Sequence, residues 1–254
     1  MKIVVIGGTG NIGSKLVNNL KQRGHETLAA APATGVNTIS GEGLDHAMNG
    51  SDIVVDVANS PSFSDQAAIE FFEAAGRNLV AAEKNAGTKH HVTLSIVGSD
   101  RLQDSGYMRA KVAQENAIRK SGIPYTIVRS TQFFEFVPMI AQGATSGPNV
   151  LVSDLLIQPI LSDEVAQALT DVALGNPKNG VIEIAGPDRF KLTELLDLYL
   201  RAAHDSRTVV FDKNYSYFGA RDVADSLVPK KGARIAKTRY RDWIPSHLTG
   251  RKAA

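Results

Sequence analysis

A glycine-rich segment near the N-terminus, Gly7 to Gly13, constrains the fold more than any other stretch. It reads Gly-Gly-Thr-Gly-Asn-Ile-Gly and lies between an apolar run at 3–6 and an amphipathic stretch at 11–23. Its spacing, Gly-x-Gly-x-x-Gly, permits a tight strand-to-helix turn and close approach of the backbone to a pyrophosphate. The helix that follows would present free N–H groups to that anion. We therefore predict a dinucleotide-binding loop, and the alternative is a glycine turn without a ligand. The expected cofactor contacts are Gly7, Thr9, Gly10, Asn11, Ile12 and Gly13.

Short apolar runs alternate with longer amphipathic stretches through the first half of the chain. The predicted strands are 3–6, 27–31, 53–57, 92–97 and 125–128, and the predicted helices are 11–23, 64–86 and 106–121. Nearly continuous apolar strands separated by helices are typical of a parallel sheet covered on both faces, with right-handed connections. The fold class predicted is therefore α/β, a Rossmann-type doubly wound parallel sheet.

The pattern is less regular after residue 131. Short strand candidates are 150–152, 157–160, 181–185 and 208–211, and helix candidates are 162–174 and 192–203. We expect one NAD(P)-binding domain over residues 1–254. Residues 1–135 would form its nucleotide-binding core, and residues 136–254 would add a small C-terminal substrate lobe and an extension. The basic tail at 230–252 is expected to be solvated or to face a partner.

Composition excludes several classes of protein. The 254 residues include no cysteine and carry a formal net charge of only +2. Disulfides and cysteine-ligated zinc are excluded, and the absence of cysteine fits a reducing, cytoplasmic environment. The near-neutral charge predicts no nucleic-acid partner. The apolar run at 3–6 is too short for a signal or membrane segment, so no membrane association is expected. A homodimer is only a class expectation.

The end of the second predicted strand bears on the choice of cofactor. NAD-preferring sites place Asp or Glu here to bond the ribose hydroxyls, whereas residues 28–37 contain no carboxylate and no Arg or Lys. Neutral hydrogen bonds from Thr34, Asn37 and loop N–H groups could hold a 2′-phosphate. We predict NADP(H), with NAD(H) less favoured, and the alternative is a plain surface turn at Thr34-Gly35. The expected contacts are Ala31, Pro32, Thr34, Gly35, Val36 and Asn37.

Three residues form the candidate catalytic group. Ser95 follows the core of the fourth predicted strand, and Tyr107 and Lys111 lie four residues apart on one face of a predicted helix. A free tyrosine has a pKa of about 10, and a neighbouring ammonium lowers it. Such a pair can deliver a proton to a carbonyl oxygen that Ser95 holds by a hydrogen bond. A surface Tyr/Lys pair is the alternative, and Ser99 competes with Ser95.

The glycine loop, the strand-end serine and Tyr-x-x-x-Lys together resemble the short-chain dehydrogenase/reductase superfamily. Residues 52–57, 122–129 and 132–134 resemble its atypical, NmrA-like branch, and the likeness covers roughly the first 140 residues. The resemblance implies a Rossmann fold that binds NADP(H). It further implies that Val57, Ala58 and Asn59 flank the adenosine or pyrophosphate, and that residues 129–133 line the nicotinamide and substrate side. Further cofactor contacts expected are Ser95, Lys111, Arg129 and Thr131, and the expected substrate contacts are Gln132, Phe133 and Phe134.

These expectations give an NADPH-dependent reductase of small, fairly apolar aldehydes, ketones or quinones. Tyr107 would be the proton donor, Lys111 would lower its pKa and hold the ribose, and Ser95 would polarise the carbonyl. The main alternative is a non-catalytic NADP(H)-sensing regulator, because some members of the branch that the chain resembles are redox sensors. Those members lack the tyrosine, so the presence of Tyr107 and Lys111 favours an enzyme. A nucleotide-sugar epimerase or dehydratase is a third reading, although such enzymes usually exceed 254 residues.

Two other groups of side chains bear on ligand binding. His90 and His91 precede a predicted strand, but no third ligand is spaced nearby, so we expect no metal and a solvated or strand-edge position. Phe133, Phe134 and Phe136 follow the fifth predicted strand at its carboxyl end, where ligands bind in such sheets. We expect this aromatic run to shape an apolar substrate pocket.

Overall fold

The computed structural model describes residues 1–221 and 223–251. Twelve strands occur in the described ranges: β1 (Lys2–Ile6), β2 (Glu26–Ala30), β3 (Ile53–Asp56), β4 (His90–Ile96), β5 (Tyr125–Ser130), β6 (Thr145–Ser146), β7 (Asn149–Val152), β8 (Leu156–Ile157), β9 (Gly180–Ala185), β10 (Phe190–Lys191), β11 (Thr208–Phe211) and β12 (Arg234–Ile235). The helices described are α1 (Asn11–Gln22), α2 (Leu44–Met48), α3 (Asp65–Ala86), α4 (Gly106–Ser121), α5 (Val137–Gly143), α6 (Ser162–Ala173), α7 (Leu192–Ala202) and α8 (Tyr240–Arg251).

The central sheet has seven strands in the order β12-β9-β5-β4-β3-β1-β2, and every neighbouring pair is parallel. This arrangement confirms the predicted Rossmann-type fold class. The chain leaves β1 for β2 on one side and returns to β3 on the other, so the strand order reverses at β1. A crevice opens at the carboxyl ends of the strands at such a reversal, and this is where ligands bind.

Alternate residues of β1 pack into two hydrophobic cores on opposite faces of the sheet, because successive side chains of a strand point in opposite directions. Ile3 and Val5 face α1 and α6, while Val4 and Ile6 face α2 and α3. All four side chains are at most 2% exposed, so β1 is covered on both faces. Within residues 1–221 and 223–251, none of the helices combines the length and apolar character needed to cross a lipid bilayer.

The second half of the chain does not form a separate lobe throughout. β9 pairs with β5, β12 extends the same edge, and α6 packs against α1. The central sheet and its helices therefore include elements from beyond residue 135, where the sequence analysis placed the end of the nucleotide-binding core. The lobe itself combines two small sheets, β11-β7-β6 and β10-β8, with α5, α7 and α8.

The basic C-terminal segment is anchored by two buried residues, while its basic side chains between 230 and 241 are exposed, as predicted for a solvated or partner-facing tail; residue 252 lies outside the described part. Tyr240 and Ile244 are 1% and 2% exposed within the core of the lobe. Arg234 pairs with Asp171 of α6 at 2.8 Å. The aromatic and aliphatic residues between the basic ones carry the packing, and the charges occupy the outer side.

The two adjacent histidines lie inside the protein, so the expectation of a solvated position was wrong. Both belong to β4, a central strand, and are 3% and 0% exposed. His91 Nδ1 contacts the two carboxylate oxygens of Glu83 at 2.8 and 3.0 Å. Burial lowers the pKa of His91, but the charge and hydrogen bond of Glu83 outweigh it and raise the pKa above its ordinary value. His90 Nε2 instead lies 3.0 Å from the Thr126 hydroxyl.

His90 is expected to make stability fall as the solution is acidified. Burial lowers the pKa of His90 from 6.5 to about 4, so the unfolded chain takes up a proton at higher pH than the folded chain. The free energy of unfolding should therefore decrease between pH 6.5 and 4, by about 3 kcal/mol from this group. Urea unfolding of His90→Gln should show a shallower decrease than the wild type. The exposed-site variant His46→Gln is the control, and equal slopes for all three proteins would contradict the assignment.

Candidate cofactor and active site

The glycine loop after β1 forms a cradle at the start of α1. Gly7 adopts a φ of +77°, and a Cβ added at Gly13 would lie 2.1 Å from the Gly7 carbonyl oxygen. Gly10 is the N-cap residue of α1 and has no side chain to bond to the first turn. A Cβ added at Gly10 would lie 3.3 Å from the Gly7 carbonyl oxygen and otherwise point into open space. Among the described residues, no backbone carbonyl accepts from the N–H groups of Asn11, Ile12 or Gly13. These donors and the open space fit a dinucleotide pyrophosphate.

Gly13→Ala is expected to reduce dinucleotide affinity by about a hundredfold or more. A methyl group 2.1 Å from the Gly7 carbonyl oxygen would displace the loop, and displaced N–H groups cannot all reach one pyrophosphate. Calorimetric titration with NADPH measures the loss. The control is Gly143→Ala, because that glycine lies in α5 with open space around its Cβ direction. Equal affinities for the two variants would contradict the role of the loop.

A cleft of about 830 Å³ runs from the glycine loop to the lobe, along the carboxyl ends of the central strands. This volume lies within the range of about 300–1,000 Å³ typical of ligand sites. Most of the residues predicted from the sequence line it: Gly7, Thr9, Gly10, Asn11, Ile12, Gly13, Ala31, Pro32, Val36, Asn37, Val57, Ala58, Asn59, Ser95, Tyr107, Lys111, Thr131, Gln132 and Phe133. The lining does not include Thr34, Gly35, Arg129 or Phe134.

The turn after β2 explains why Thr34 and Gly35 miss the cleft. The Thr34 hydroxyl accepts from the Ala31 N–H at 2.9 Å and lies 2.9 Å from the Ala29 carbonyl oxygen, so it closes its own turn. Gly35 follows with a φ of +79°. The predicted role of Thr34 in phosphate binding is corrected accordingly. Asn37 lines the cleft, although its side-chain oxygen accepts from the N–H of Ile39 at 2.9 Å.

Tyr107 opens α4 with its hydroxyl at the cleft. The hydroxyl donates to Asn59 Oδ1 at 2.7 Å, and the ring meets Phe63 edge-on with centroids 5.2 Å apart. Burial raises the pKa of Tyr107 to about 12, against a smaller lowering by the hydrogen bond to Asn59. The expectation that Lys111 lowers this pKa is therefore not met in the structure. The hydroxyl keeps its proton throughout the neutral range.

Lys111 is held by a buried hydrogen-bond relay. Its ammonium donates to the Leu94 carbonyl oxygen at 2.9 Å and to Gln114 Oε1, and it lies 4.5 Å from the Phe72 ring centre. Gln114 Nε2 in turn donates to Asp56 Oδ2 at 2.7 Å. Burial lowers the pKa of Lys111 to about 8, although the charge of Asp56 opposes it. An ammonium has three donors, so one remains after these two contacts.

The structure separates the two candidate serines. Ser95 is 2% exposed and lines the cleft, whereas Ser99 lies outside it and donates to Glu115 Oε1 at 3.4 Å. Arg129, like Ser99, bonds to the buried Glu115 carboxylate. Its guanidinium donates twice to Glu115 at 2.8 Å and pairs with Asp100 at 2.7 Å. Arg129 therefore ties α4 to β5 and to the loop after β4, which corrects its predicted place beside the nicotinamide.

The aromatic run after β5 divides between the cleft and the core. Phe134 is 1% exposed and packs against Tyr240 and Trp243, with ring centres 5.1 and 5.3 Å away. It contributes to the lobe core, and its predicted substrate contact is corrected. Phe133 and Phe136 line the cleft instead. The short 3-10 helix Phe134–Phe136 turns these side chains in different directions, which spacing along the sequence did not reveal.

Several cleft residues escaped the sequence analysis. Phe63 lies in the loop after β3, at the carboxyl end of a parallel strand, and this position could have identified it. Tyr217 and Phe218 come from the segment after β11 and reach the cleft only through the fold of the lobe. Among the residues that line the cleft in the described part of the chain, Lys111 carries the one charged side chain.

Fold and site define a dinucleotide-binding α/β protein, and comparison with known proteins gives its family. A family model described as NAD(P)H-binding matches residues 7–173. Because this match covers about two thirds of the chain, the protein belongs to that NAD(P)H-binding family. Its homologues place it in the atypical short-chain dehydrogenase/reductase, NmrA-like extended family, which confirms the resemblance seen in the sequence.

Curated relatives include reductases. The chain is 27% identical over 208 residues to the (4-alkanoyl-5-oxo-2,5-dihydrofuran-3-yl)methyl phosphate reductase of Streptomyces griseus, covering 76% of this chain and 70% of the relative. It is 26% identical over 232 residues to the photosystem II assembly factor Ycf39 of Synechocystis, covering 82% and 70%. The family is thus of the oxidoreductase type, with reductases among the homologues of this chain.

Solved structures confirm the fold. MoeE5 in complex with UDP-glucose and NAD superposes with a TM-score of 0.76 at 16% identity, covering all of both chains. The NADPH-dependent quinone oxidoreductase QOR2 of Escherichia coli gives a TM-score of 0.69 at 18% identity, covering 98% of this chain and all of the other. At these identities the likeness shows the architecture, and the NAD(P)H-binding assignment follows from the family and the cradle.

Proposed function

We propose that this protein is an NADPH-dependent reductase of small, fairly apolar carbonyl compounds, such as aldehydes, ketones or quinones. The observation that carries the proposal is the Tyr107 hydroxyl, which faces the same cleft as the glycine cradle. Burial keeps this hydroxyl protonated, with a pKa of about 12, as a proton donor for reduction must be. The apolar walls of the cleft fit a substrate of low polarity.

The residues of the cleft have separate parts in this reaction. NADPH, when bound, supplies a hydride to the carbonyl carbon. Tyr107 transfers its proton to the carbonyl oxygen, so that an aldehyde or ketone becomes an alcohol, and solvent then returns a proton to the tyrosine. A quinone reduced in the same way becomes a hydroquinone once the reduced carbon loses its hydrogen as a proton and the second oxygen gains a proton from solvent. Ser95 orients the same oxygen by a hydrogen bond. Lys111 offers its remaining N–H donor to the ribose.

A turnover assay tests the proposal directly. The purified protein is given NADPH and a panel of aldehydes, ketones and quinones, and consumption of NADPH and formation of the alcohol or hydroquinone are measured. Reduction of at least one member supports the proposal. Tight NADP(H) binding without turnover on any member would overturn it.

One pair of observations favours the alternative function, a non-catalytic NADP(H)-sensing regulator. Lys111 donates to the Leu94 carbonyl oxygen, and it donates to Gln114 Oε1, so two of its three donors are taken within the protein. A relative named as an assembly factor is consistent with a role of this kind. The turnover assay separates the two functions, because a sensor would bind the cofactor and reduce nothing.

The cofactor preference is expected to be for NADPH, by about three- to tenfold in affinity. No carboxylate lines the adenosine end of the cleft in the described residues, so none repels a 2′-phosphate, and one or two neutral hydrogen bonds supply a difference of this size. Calorimetric titration with NADPH and NADH measures it. In Ala31→Asp the new carboxylate should reverse the preference. Tighter binding of NADH by the unmodified protein would contradict the prediction.

A further inference from the structure

Aromatic side chains from four separate segments meet at the lobe end of the cleft. This aromatic cluster consists of Phe63, Tyr107, Phe136, Tyr217 and Phe218, and all of them line the cleft. Phe218 is its centre, with ring centres 5.8 Å from Phe63, 5.8 Å from Phe136 and 4.9 Å from Tyr217. Phe63 also contacts Tyr107 edge-on. The cluster therefore surrounds the position at which the proton donor meets a substrate.

Phe218 occupies the tip of a tight turn that favours other residue types. Tyr217 and Ala220 exchange both backbone hydrogen bonds, at 2.9 and 3.0 Å, and the two residues between them have φ values of +48° and +82°. Positive φ at both central positions is the mark of a type I′ hairpin turn, where Asn, Asp and Gly are preferred. A phenylalanine in this conformation is uncommon. The turn itself gives no reason for an aromatic residue here, whereas the position of the ring in the cleft does.

The charge of the cleft limits what can bind beside this ring. Lys111 is the one charged side chain among the described lining residues, and Leu94 and Gln114 take two of its donors. An anionic substrate would lose its hydration on entering the cleft and would find no cation free to pair with it. Removing a charge from water without such a partner costs free energy. The names of two similar proteins mention phosphorylated compounds, UDP-glucose in one and a methyl phosphate in the other. Phosphate groups are anionic, so this end of the cleft does not suit such ligands.

We propose that the substrate is an uncharged molecule with a flat aromatic or quinonoid ring, which stacks on Phe218 beside the Tyr107 hydroxyl. The inference rests on the proposed carbonyl reduction, of which it names the substrate class. Phe136 and Phe218 stack on each other, 25° apart with ring centres 5.8 Å apart, and Phe218 stays partly exposed, so a ring in the cleft meets the surface that this stacked pair leaves uncovered. Stacking of this kind changes affinity by about three- to tenfold beyond simple burial. Phe218 is the residue that determines specificity.

Calorimetric binding to the protein–NADP⁺ complex tests this with naphthoquinone as the probe. Phe218→Asn suits the turn and removes the ring, so it should weaken naphthoquinone binding by about fivefold or more. Phe218→Tyr keeps the ring and should bind within about twofold of the wild type. Phe211→Asn makes the same change at a site on β11 that is 60% exposed and outside the cleft. It should have no effect, and the NADP⁺ affinity should be equal in all four proteins.

Two further probes test charge and shape. The sulfonate of naphthoquinone should bind at least about tenfold more weakly than naphthoquinone itself, because the described residues of the cleft offer no cation beyond Lys111. Hexanal, which has no ring, should bind equally to wild type and Phe218→Asn. Thermal unfolding of each variant is measured first. If Phe218→Asn does not fold, Phe218→Leu takes its place with the same expectation.

The outcomes separate this inference from the proposed function. Phe218-dependent binding of naphthoquinone without any reduction would support ring recognition and overturn the reductase. Reduction of carbonyl compounds with no difference between Phe218→Asn and Phe218→Tyr would support the reductase and overturn ring recognition. Tighter binding of the sulfonate than of naphthoquinone would overturn the uncharged substrate. Weaker NADP⁺ binding in Phe218→Asn would also overturn the inference, by assigning the ring to the cofactor.

Discussion

Tyr107→Phe is expected to lower kcat by about a hundred- to ten-thousandfold, the usual contribution of a positioned proton donor. The phenylalanine ring keeps the edge-on contact with Phe63 but carries no hydroxyl, so the carbonyl oxygen has no donor at that place. Cofactor affinity should change little. Steady-state reduction of the best substrate from the carbonyl panel, together with NADPH titration, measures both effects.

The same substitution at another tyrosine serves as the control. Tyr125 begins β5 at the amino ends of the central strands, the end of the sheet opposite the cleft. Tyr125→Phe should leave kcat unchanged. Full activity in Tyr107→Phe would remove Tyr107 from the chemistry. An equal loss in both variants would point to a general effect on folding.

The second large effect is expected in the buried ion-pair group beneath the cleft. Glu115 is fully buried and receives two hydrogen bonds from Arg129 and one from Arg119. Burial alone would raise the pKa of Glu115, but Arg129 holds it below its ordinary value. Glu115→Ala leaves the Arg129 guanidinium buried without its main partner. The free energy of unfolding should fall by about 3–5 kcal/mol, as measured by urea denaturation.

Two comparisons show whether charge is the cause. Asp197→Ala breaks an exposed pair with Arg201 on α7 and should cost less than about 1 kcal/mol. The double substitution Glu115→Leu with Arg129→Met removes both charges and should recover much of the stability lost by Glu115→Ala. If the double variant is as unstable as Glu115→Ala, packing rather than the unpaired charge is responsible.

The sequence predicted those features of the fold that depend on neighbouring residues. The glycine loop, the apolar strands and the helices that follow them are local patterns, and most positions expected around the pyrophosphate line the cleft. Tyr107 and Lys111 were also correctly placed at the cleft. The absence of a carboxylate after β2 was read directly from the chain.

The errors concern properties that distant residues decide. Spacing put Lys111 beside Tyr107, but it could not reveal that Gln114 and Asp56 would hold the ammonium. Phe134 turns to the lobe core because α8 brings Tyr240 against it. Phe218 reaches the cleft from a segment more than 100 residues beyond Tyr107. Such contacts depend on tertiary packing rather than on a local pattern.

The late return of the chain to the central sheet has a consequence for biosynthesis. Residues 126–130 of β5 pair with residues 180–184 of β9, so a nascent chain that ends before β9 exposes the edge of a buried strand. Unpaired edges of this kind are templates for aggregation. A nascent chain of about 170 residues would therefore contain the glycine cradle while the edge of β5 is still unpaired. Chaperone contact during translation should be greatest in the interval before β9 emerges.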